Sequence, residues 1–104
     1  MTVLRLDAPI SFWGGLDPAT GMITDVHHPQ RGESIAGKVL VLERTVGSTN
    51  SPGTLVEAIR LGNGPELIIL GQPDMTVASA VYVAKALYGI EIPVEISSDA
   101  WKDR

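Results

Sequence analysis

The sequence predicts a compact β/β/α domain of the α/β class, with a mixed sheet and two main helices. Its 104 residues are enough for one hydrophobic core and too few for two domains. Apolar runs without polar alternation occur at 35–42 and 67–70, which is typical of strands buried on both faces. Apolar residues at helical spacing follow each run. Such strand-helix-strand units predict parallel pairing with right-handed crossovers.

The N-terminal third is interrupted by turn-forming residues. Residues 1–12 are mostly apolar but contain Pro9, which indicates an irregular edge strand ending in a bend. Residues 16–21 have the composition of a turn, 22–25 that of a short strand, and 27–34 that of an ordered polar loop. We expect these N-terminal strands to form an antiparallel layer.

The remaining two thirds alternate between strands and helices. The predicted order is strand, helix, strand, helix, strand, at residues 35–42, 52–61, 67–70, 77–88 and 92–96. Gly62 and Gly89 end the two helices, as glycine commonly does. We expect a single domain over residues 1–104, with a flexible tail at 98–104.

Composition excludes several classes of function. A formal net charge of -4 and no Lys/Arg cluster argue against a nucleic-acid-binding protein. Without cysteine the chain cannot form a disulfide, act as a thiol nucleophile or bind a cluster through thiolates. The chain has no signal-peptide pattern and no apolar run near the roughly 18–20 residues of a membrane span, so we expect a soluble cytoplasmic protein. His27, His28, Asp17 and Asp25 lack metal-ligand spacing, so we expect no metal site.

Residues 47–54 (GSTNSPGT) are the strongest local signal of a binding site. Pro52 suits the first position of a helix, and Ser51 before it is a typical capping residue. The free amides at such an N-terminus favour a carboxylate or phosphate. Three further side chains could hydrogen-bond that anion, namely Ser48, Thr49 and Asn50. The alternative is an ordinary capped helix in a surface loop.

Several motifs in fixed order resemble the swivel domain of the aconitase X family. The resemblance is carried by residues 12–21, 25–29, 32–40, 47–51, 55–59, 64–65 and 88–94. It covers nearly the whole chain and implies the small subunit of an iron-sulfur hydro-lyase, inactive without a large partner. In that family the large subunit's cysteines hold the cluster, and the active site lies in the cleft between the subunits.

The resemblance also implies a class of substrate and a division of roles. Relatives dehydrate anionic hydroxy acids, namely cis-3-hydroxy-L-proline or mevalonate 5-phosphate. The spacing of motifs and the 27–29 segment favour the hydroxyproline type. Ser48 matches the aconitase serine that, as an alkoxide, takes the proton next to the carboxylate, so we expect it to be the catalytic base. Asn50 stands where aconitase has an arginine, and Thr49 and Ser51 are expected anion contacts.

Other candidates have two interpretations each. Gly14 and Gly15 allow the chain to approach substrate or partner closely, or simply form a turn. His28 contacts substrate or carries a proton, or else it bonds the backbone. Phe12 and Trp13 contact the large subunit or belong to the core.

Two alternative functions stay open. One is a swivel domain without catalytic activity that serves assembly or regulation. The other is a phosphohistidine carrier using His28, which Pro29 after it and the scarcity of basic neighbours disfavour.

Overall fold

A computed structural model describes residues 2–47 and 49–99 of the chain. Its elements in chain order are β1 (Val3–Arg5), α1 (Phe12–Gly15), β2 (Leu16–Asp17), β3 (Met22–Ile23), β4 (Val39–Leu42), α2 (Ser51–Arg60), β5 (Leu67–Leu70), α3 (Met75–Tyr88) and β6 (Val94–Ile96). The α/β class and the two main helices, α2 and α3, are confirmed. None of the helices within the described ranges is long and apolar enough to cross a membrane.

The central sheet has four strands in the order β1-β4-β5-β6, and every neighbouring pair is parallel. The antiparallel pairing is confined to β2 and β3, which form a separate two-stranded sheet. The predicted combination of parallel and antiparallel strands is confirmed, but β1 pairs with β4 in the parallel sheet and does not belong to the expected antiparallel layer. Its alternation, with Leu4 buried and Val3 exposed, is the same for an edge strand of either orientation.

The two main helices begin earlier than the sequence predicts. Helix α2 starts at Ser51, one residue before Pro52. Helix α3 starts at Met75, because the carboxylate of Asp74 accepts a hydrogen bond from the Val77 N–H and caps the helix. It ends as predicted at Gly89, which has the left-handed conformation of a helix C-terminus.

The main core lies between the sheet and the helices. Leu40, Leu42, Ile68 and Leu70 of the central strands are almost fully buried there. They pack in one cluster with residues of α2 and α3 and of the N-terminal segments, namely Leu55, Ile59, Val77, Ala80, Phe12 and Ile23. A smaller cluster of Val39, Val41 and Ile69 accounts for the unbroken apolar runs, because these residues alternate with the first set.

Candidate functional site

The candidate site lies at the edge of the sheet where the parallel strands end. The segments that follow β1, β4 and β5 all leave the sheet at this edge. Thr45 forms a parallel bridge with Ile10, and the Val46 N–H donates to the Ile10 carbonyl at 3.0 Å. Ligands of open α/β sheets commonly bind outside the carboxyl ends of the strands. We refer to residues 44–50, which follow β4, as the site loop.

Gly47 in the site loop packs directly against Ser11. Its φ is +103°, and a Cβ atom added there would lie 2.6 Å from the Ser11 Oγ and 2.9 Å from the Ser11 Cβ. Both the conformation and the close approach require glycine. The backbone just before Ser48 is thereby fixed against the segment that leads into α1.

Ser51, at the start of α2, contacts the segment around α1 from inside the protein. It is fully buried; its Oγ accepts a hydrogen bond from the Trp13 N–H at 3.2 Å and lies 3.3 Å from the Ser11 Oγ. The expectation that Ser51 caps α2 was wrong, because Ser51 is the first helical residue and Asn50 occupies the N-cap. Its hydroxyl is therefore turned toward the α1 segment, where burial keeps it from a ligand in solvent.

The other predicted residues of the site loop have different surroundings. Ser48 lies outside the described residues. Thr49 and Asn50 are both exposed, and the Asn50 side chain makes no capping hydrogen bond to α2. Thr49 lines a cavity of about 350 Å³ together with Gly47 and the first turns of α2 and α3.

The two predicted glycines of α1, Gly14 and Gly15, differ in how strongly their positions favour glycine. Gly14 is exposed with φ +79° and has open space around it, so its conformation alone favours glycine. Gly15 is buried, and an added Cβ would make ordinary contacts with Ile10 and Asp25. Beside them Phe12 is fully buried in the core, whereas Trp13 is 58% exposed.

His28 lies in the loop between β3 and β4, where its ring contacts two backbone groups. It is 6% exposed; its Nε2 lies 2.9 Å from the Ala8 carbonyl, and its Nδ1 accepts a hydrogen bond from the Gln30 N–H at 3.0 Å. The backbone therefore occupies both ring nitrogens of a neutral imidazole. A substrate contact or phosphorylation at His28 would first have to break one of these bonds. The geometry favours the backbone-bonding interpretation.

Arg44, the first residue of the site loop, was not among the residues predicted for the site. Its side chain is exposed and lines a cavity of about 280 Å³ with Gly47 and Thr76. Across the described ranges no carboxylate lies within 4.0 Å of its guanidinium, whose Nη1 is 3.5 Å from the Thr45 carbonyl. The sequence does contain a signal for Arg44: it is a cationic residue two positions after the buried strand β4, at the edge of a parallel sheet where ligands commonly bind.

The contact between Thr45 and Asp74 was not predicted from the sequence either. Asp74 Oδ2 accepts a hydrogen bond from the Thr45 N–H at 2.6 Å, and the Thr45 Oγ1 lies 2.8 and 2.9 Å from the two carboxylate oxygens. Partial burial alone would raise the pKa of Asp74. The hydrogen bonds from Thr45, and from the amides of Val77 and Thr76, outweigh that effect and hold the pKa below its usual value.

Comparison with known proteins gives a consistent result. The model of the aconitase X swivel domain family matches residues 2–103. A cis-3-hydroxy-L-proline dehydratase of Hypocrea jecorina is 36% identical over 87 residues, which are 84% of this chain and 15% of that protein. A phosphomevalonate dehydratase small subunit of Thermococcus onnurineus is 42% identical over 76 residues, which are 73% of this chain and 58% of that subunit.

A solved structure agrees with these relatives. The holo form of Thermococcus kodakaraensis aconitase X superposes with a TM-score of 0.77 at 37% identity, over 81% of this chain and 64% of that chain. The chain thus spans less than two thirds of the length of each of these three proteins. The match over residues 2–103, supported by these relatives and by the shared fold, shows that the chain belongs to the aconitase X swivel domain family.

Proposed function

We propose that this chain is the swivel-domain component of an aconitase X-type dehydratase and works with a larger partner. Its relatives are named as dehydratases or as small subunits of dehydratases. The matched region makes up only 15% of the hydroxyproline dehydratase, so a much larger part accompanies it there. The observation that carries the proposal is the close packing of Gly47 against Ser11 at the carboxyl edge of the sheet. This packing lies within the region that the family model matches, residues 2–103.

In the proposed reaction, Ser48 is the base. Its alkoxide takes the proton from the carbon next to the substrate carboxylate, and the electron pair of that C–H bond forms a double bond to the neighbouring carbon. The hydroxyl group on the neighbouring carbon leaves with its bonding electrons as hydroxide and takes a proton from solvent to become water. Ser48 then releases the abstracted proton to solvent, which regenerates the alkoxide. An alkoxide requires strong electrostatic stabilisation, because a serine hydroxyl is a very weak acid. The amides of the first turn of α2 and the Arg44 guanidinium are the groups of this chain best suited to supply it.

The remaining site residues fall into two roles. Arg44 and Thr49 each line one of the two cavities that Gly47 also lines, and Asn50 is exposed in the same loop. We assign all three to binding the substrate's anionic groups. Ser51 is buried, so it supports the site by holding the α1 segment. We assign Gly14 and Gly15 to the close approach of that segment to the substrate or the partner. His28 supports the site from farther away through its backbone bonds.

The iron-sulfur cluster that the family implies has no suitable ligands here. The chain contains no cysteine. Within residues 2–47 and 49–99, no three His, Asp or Glu side chains are grouped as a metal site would need. In this proposal the larger partner holds the cluster, and the role of this chain is limited to proton abstraction and substrate binding.

Among the two substrate types, the local charge favours cis-3-hydroxy-L-proline. Mevalonate 5-phosphate carries a phosphate in addition to its carboxylate, and protein sites usually match such groups with several cations. The site loop contributes one cation, Arg44. A single carboxylate is the better match to that charge. The charge of the site loop therefore agrees with the preference for the hydroxyproline type that the spacing of motifs indicates.

Reconstitution tests the proposed function. The chain should be purified alone and together with an aconitase X-type large subunit, and each preparation assayed with both substrates. We expect dehydration of cis-3-hydroxy-L-proline by the complex and none by either component alone. Assembly without dehydration of either substrate would favour the alternative of a non-catalytic assembly domain. Turnover by the isolated chain would contradict the two-component proposal.

A further inference from the structure

The contact between Thr45 and Asp74 joins the site loop to the start of α3. Asp74 uses both carboxylate oxygens, accepting from the Thr45 N–H at 2.6 Å and lying within 2.9 Å of the Thr45 hydroxyl. Its Oδ1 also accepts from the Val77 N–H at 3.1 Å. One side chain therefore caps a helix and holds a loop residue that is buried. Such a bidentate contact fixes orientation as well as distance.

The location of this contact links it to the proposed base. Thr45 lies two residues before Gly47, which is packed against Ser11. Its bridge to Ile10 holds the loop from the β1 side, and Asp74 holds it from the α3 side. The backbone that leads into Ser48 is thus fixed between two separate segments. Small displacements of a catalytic group reduce its rate strongly.

The charge of Asp74 is unexpected at this place. Asp74 lines the same cavity as Arg44, where we propose that an anionic substrate binds. A carboxylate there repels the substrate, so the position is unfavourable for binding alone. The charged carboxylate serves instead as a hydrogen-bond acceptor, because Thr45 and the start of α3 both direct hydrogen bonds at its two oxygens. A negatively charged oxygen accepts such bonds more strongly than a neutral one.

We propose that Thr45 and Asp74 are a positioning pair that holds the backbone of residues 45–47, which directly precedes the proposed base Ser48 in the chain, and that this supports proton abstraction. The inference rests on the proposed dehydratase function. Neither residue touches substrate in this proposal. Both act through the backbone that precedes Ser48, so their loss lowers kcat by a larger factor than it changes KM.

The test compares variants of Thr45 in the reconstituted complex. Thr45→Val keeps the shape of the side chain and removes its hydroxyl, whereas Thr45→Ser keeps the hydroxyl. We expect Thr45→Val to lower kcat by about 10- to 100-fold and to change KM by a clearly smaller factor. Thr45→Ser should restore most of the rate. Asp74→Ala should lower kcat at least as much, because it also removes the bonds from the Thr45 and Val77 N–H groups. The double variant should lose little more than Asp74→Ala alone, because the Thr45 hydroxyl then has no carboxylate to contact.

A second carboxylate-threonine pair provides the matched control. In the turn after β2, the Thr20 hydroxyl donates to Asp17 Oδ2 at 3.1 Å, away from the site loop. Thr20→Val should leave kcat unchanged. The positioning role is overturned if Thr45→Val lowers only thermal stability while kcat stays at the wild-type value, or if Thr45→Ser is as slow as Thr45→Val.

Amide hydrogen exchange separates this inference from the proposed function. If the wild-type complex dehydrates neither substrate, the proposed function fails, but the pair is still testable in the chain itself. Thr45→Val should then speed exchange of the Val46 and Gly47 amides, and Thr20→Val should not. Unchanged exchange at both amides would overturn the positioning role independently of any activity.

Discussion

Replacement of Gly47 by alanine tests whether the site loop is held as tightly as its geometry indicates. The new Cβ would lie 2.6 Å from the Ser11 Oγ, closer than such atoms approach, and forcing the segments apart costs about 1–3 kcal/mol. The φ of +103° adds backbone strain of about 1–3 kcal/mol for a residue with a side chain. We therefore expect Gly47→Ala to lower the free energy of unfolding by about 2–6 kcal/mol.

Two control variants separate the steric and backbone contributions. Gly14 also has a positive φ, but an added Cβ there meets nothing within 4 Å, so Gly14→Ala measures backbone strain alone. Ser11→Gly introduced together with Gly47→Ala removes the atoms that clash. Urea unfolding followed by circular dichroism gives the free energies. The Gly47→Ala and Ser11→Gly substitutions should couple favourably by at least about 1 kcal/mol. Equal stability of the Gly47→Ala and Gly14→Ala chains, with no coupling to Ser11, would refute the close packing of these segments.

Three further predictions concern single side chains. His28→Ala should lower the free energy of unfolding by about 1–3 kcal/mol in urea titrations because it leaves buried backbone groups unpaired, while His27→Ala at an exposed position should have little effect. Arg44→Ala should raise KM for the anionic substrate about tenfold in steady-state assays, and Arg60→Ala on the exposed face of α2 should not. Asp74→Asn should be less stable than wild type at pH 7, and pH-dependent unfolding should show that difference vanish as pH falls from about 4 through the lowered pKa of Asp74.

Each of these three predictions has a contradicting result. A stable His28→Ala chain would show that the two ring bonds contribute little. An unchanged KM in Arg44→Ala would remove Arg44 from the binding groups. The sign for Asp74 follows from linkage: because the folded state lowers its pKa, its ionised form stabilises the protein above the unfolded pKa and the benefit is lost in acid. A difference that persists unchanged at pH 2 would contradict the hydrogen-bonded carboxylate.

The parallel core was predictable because its signals are local. The unbroken apolar runs of β4 and β5 indicate strands buried on both faces, and the spacing of apolar residues in α2 and α3 indicates helices. Both signals can be read within one segment, without knowledge of its partners. The orientation of β1 was not predictable, since three residues of alternating burial fit either pairing. The early start of α3 depended on recognising Asp74 as its cap.

The site was predicted less completely because its contacts span distant parts of the chain. The start of α2 was predicted at Pro52 and lies at Ser51, one residue earlier. The direction of the Ser51 hydroxyl depends on Ser11, 40 residues earlier, and no local pattern encodes that contact. The choice between the two interpretations of His28 depends in the same way on the Ala8 carbonyl. Arg44 was visible in the sequence, but its significance required knowing which edge of the sheet it occupies.

The central claim is that Ser48 is the catalytic base, and the most direct measurement is the kcat of the reconstituted complex carrying Ser48→Ala. A titration of the large subunit should accompany it, so that loss of assembly is distinguished from loss of chemistry, with Ser98→Ala at an exposed position as the matched control. We predict that Ser48→Ala lowers kcat by about 10²- to 10⁴-fold, with assembly and the Ser98→Ala complex unaffected. Dehydration at the wild-type rate by a fully assembled Ser48→Ala complex would contradict the claim.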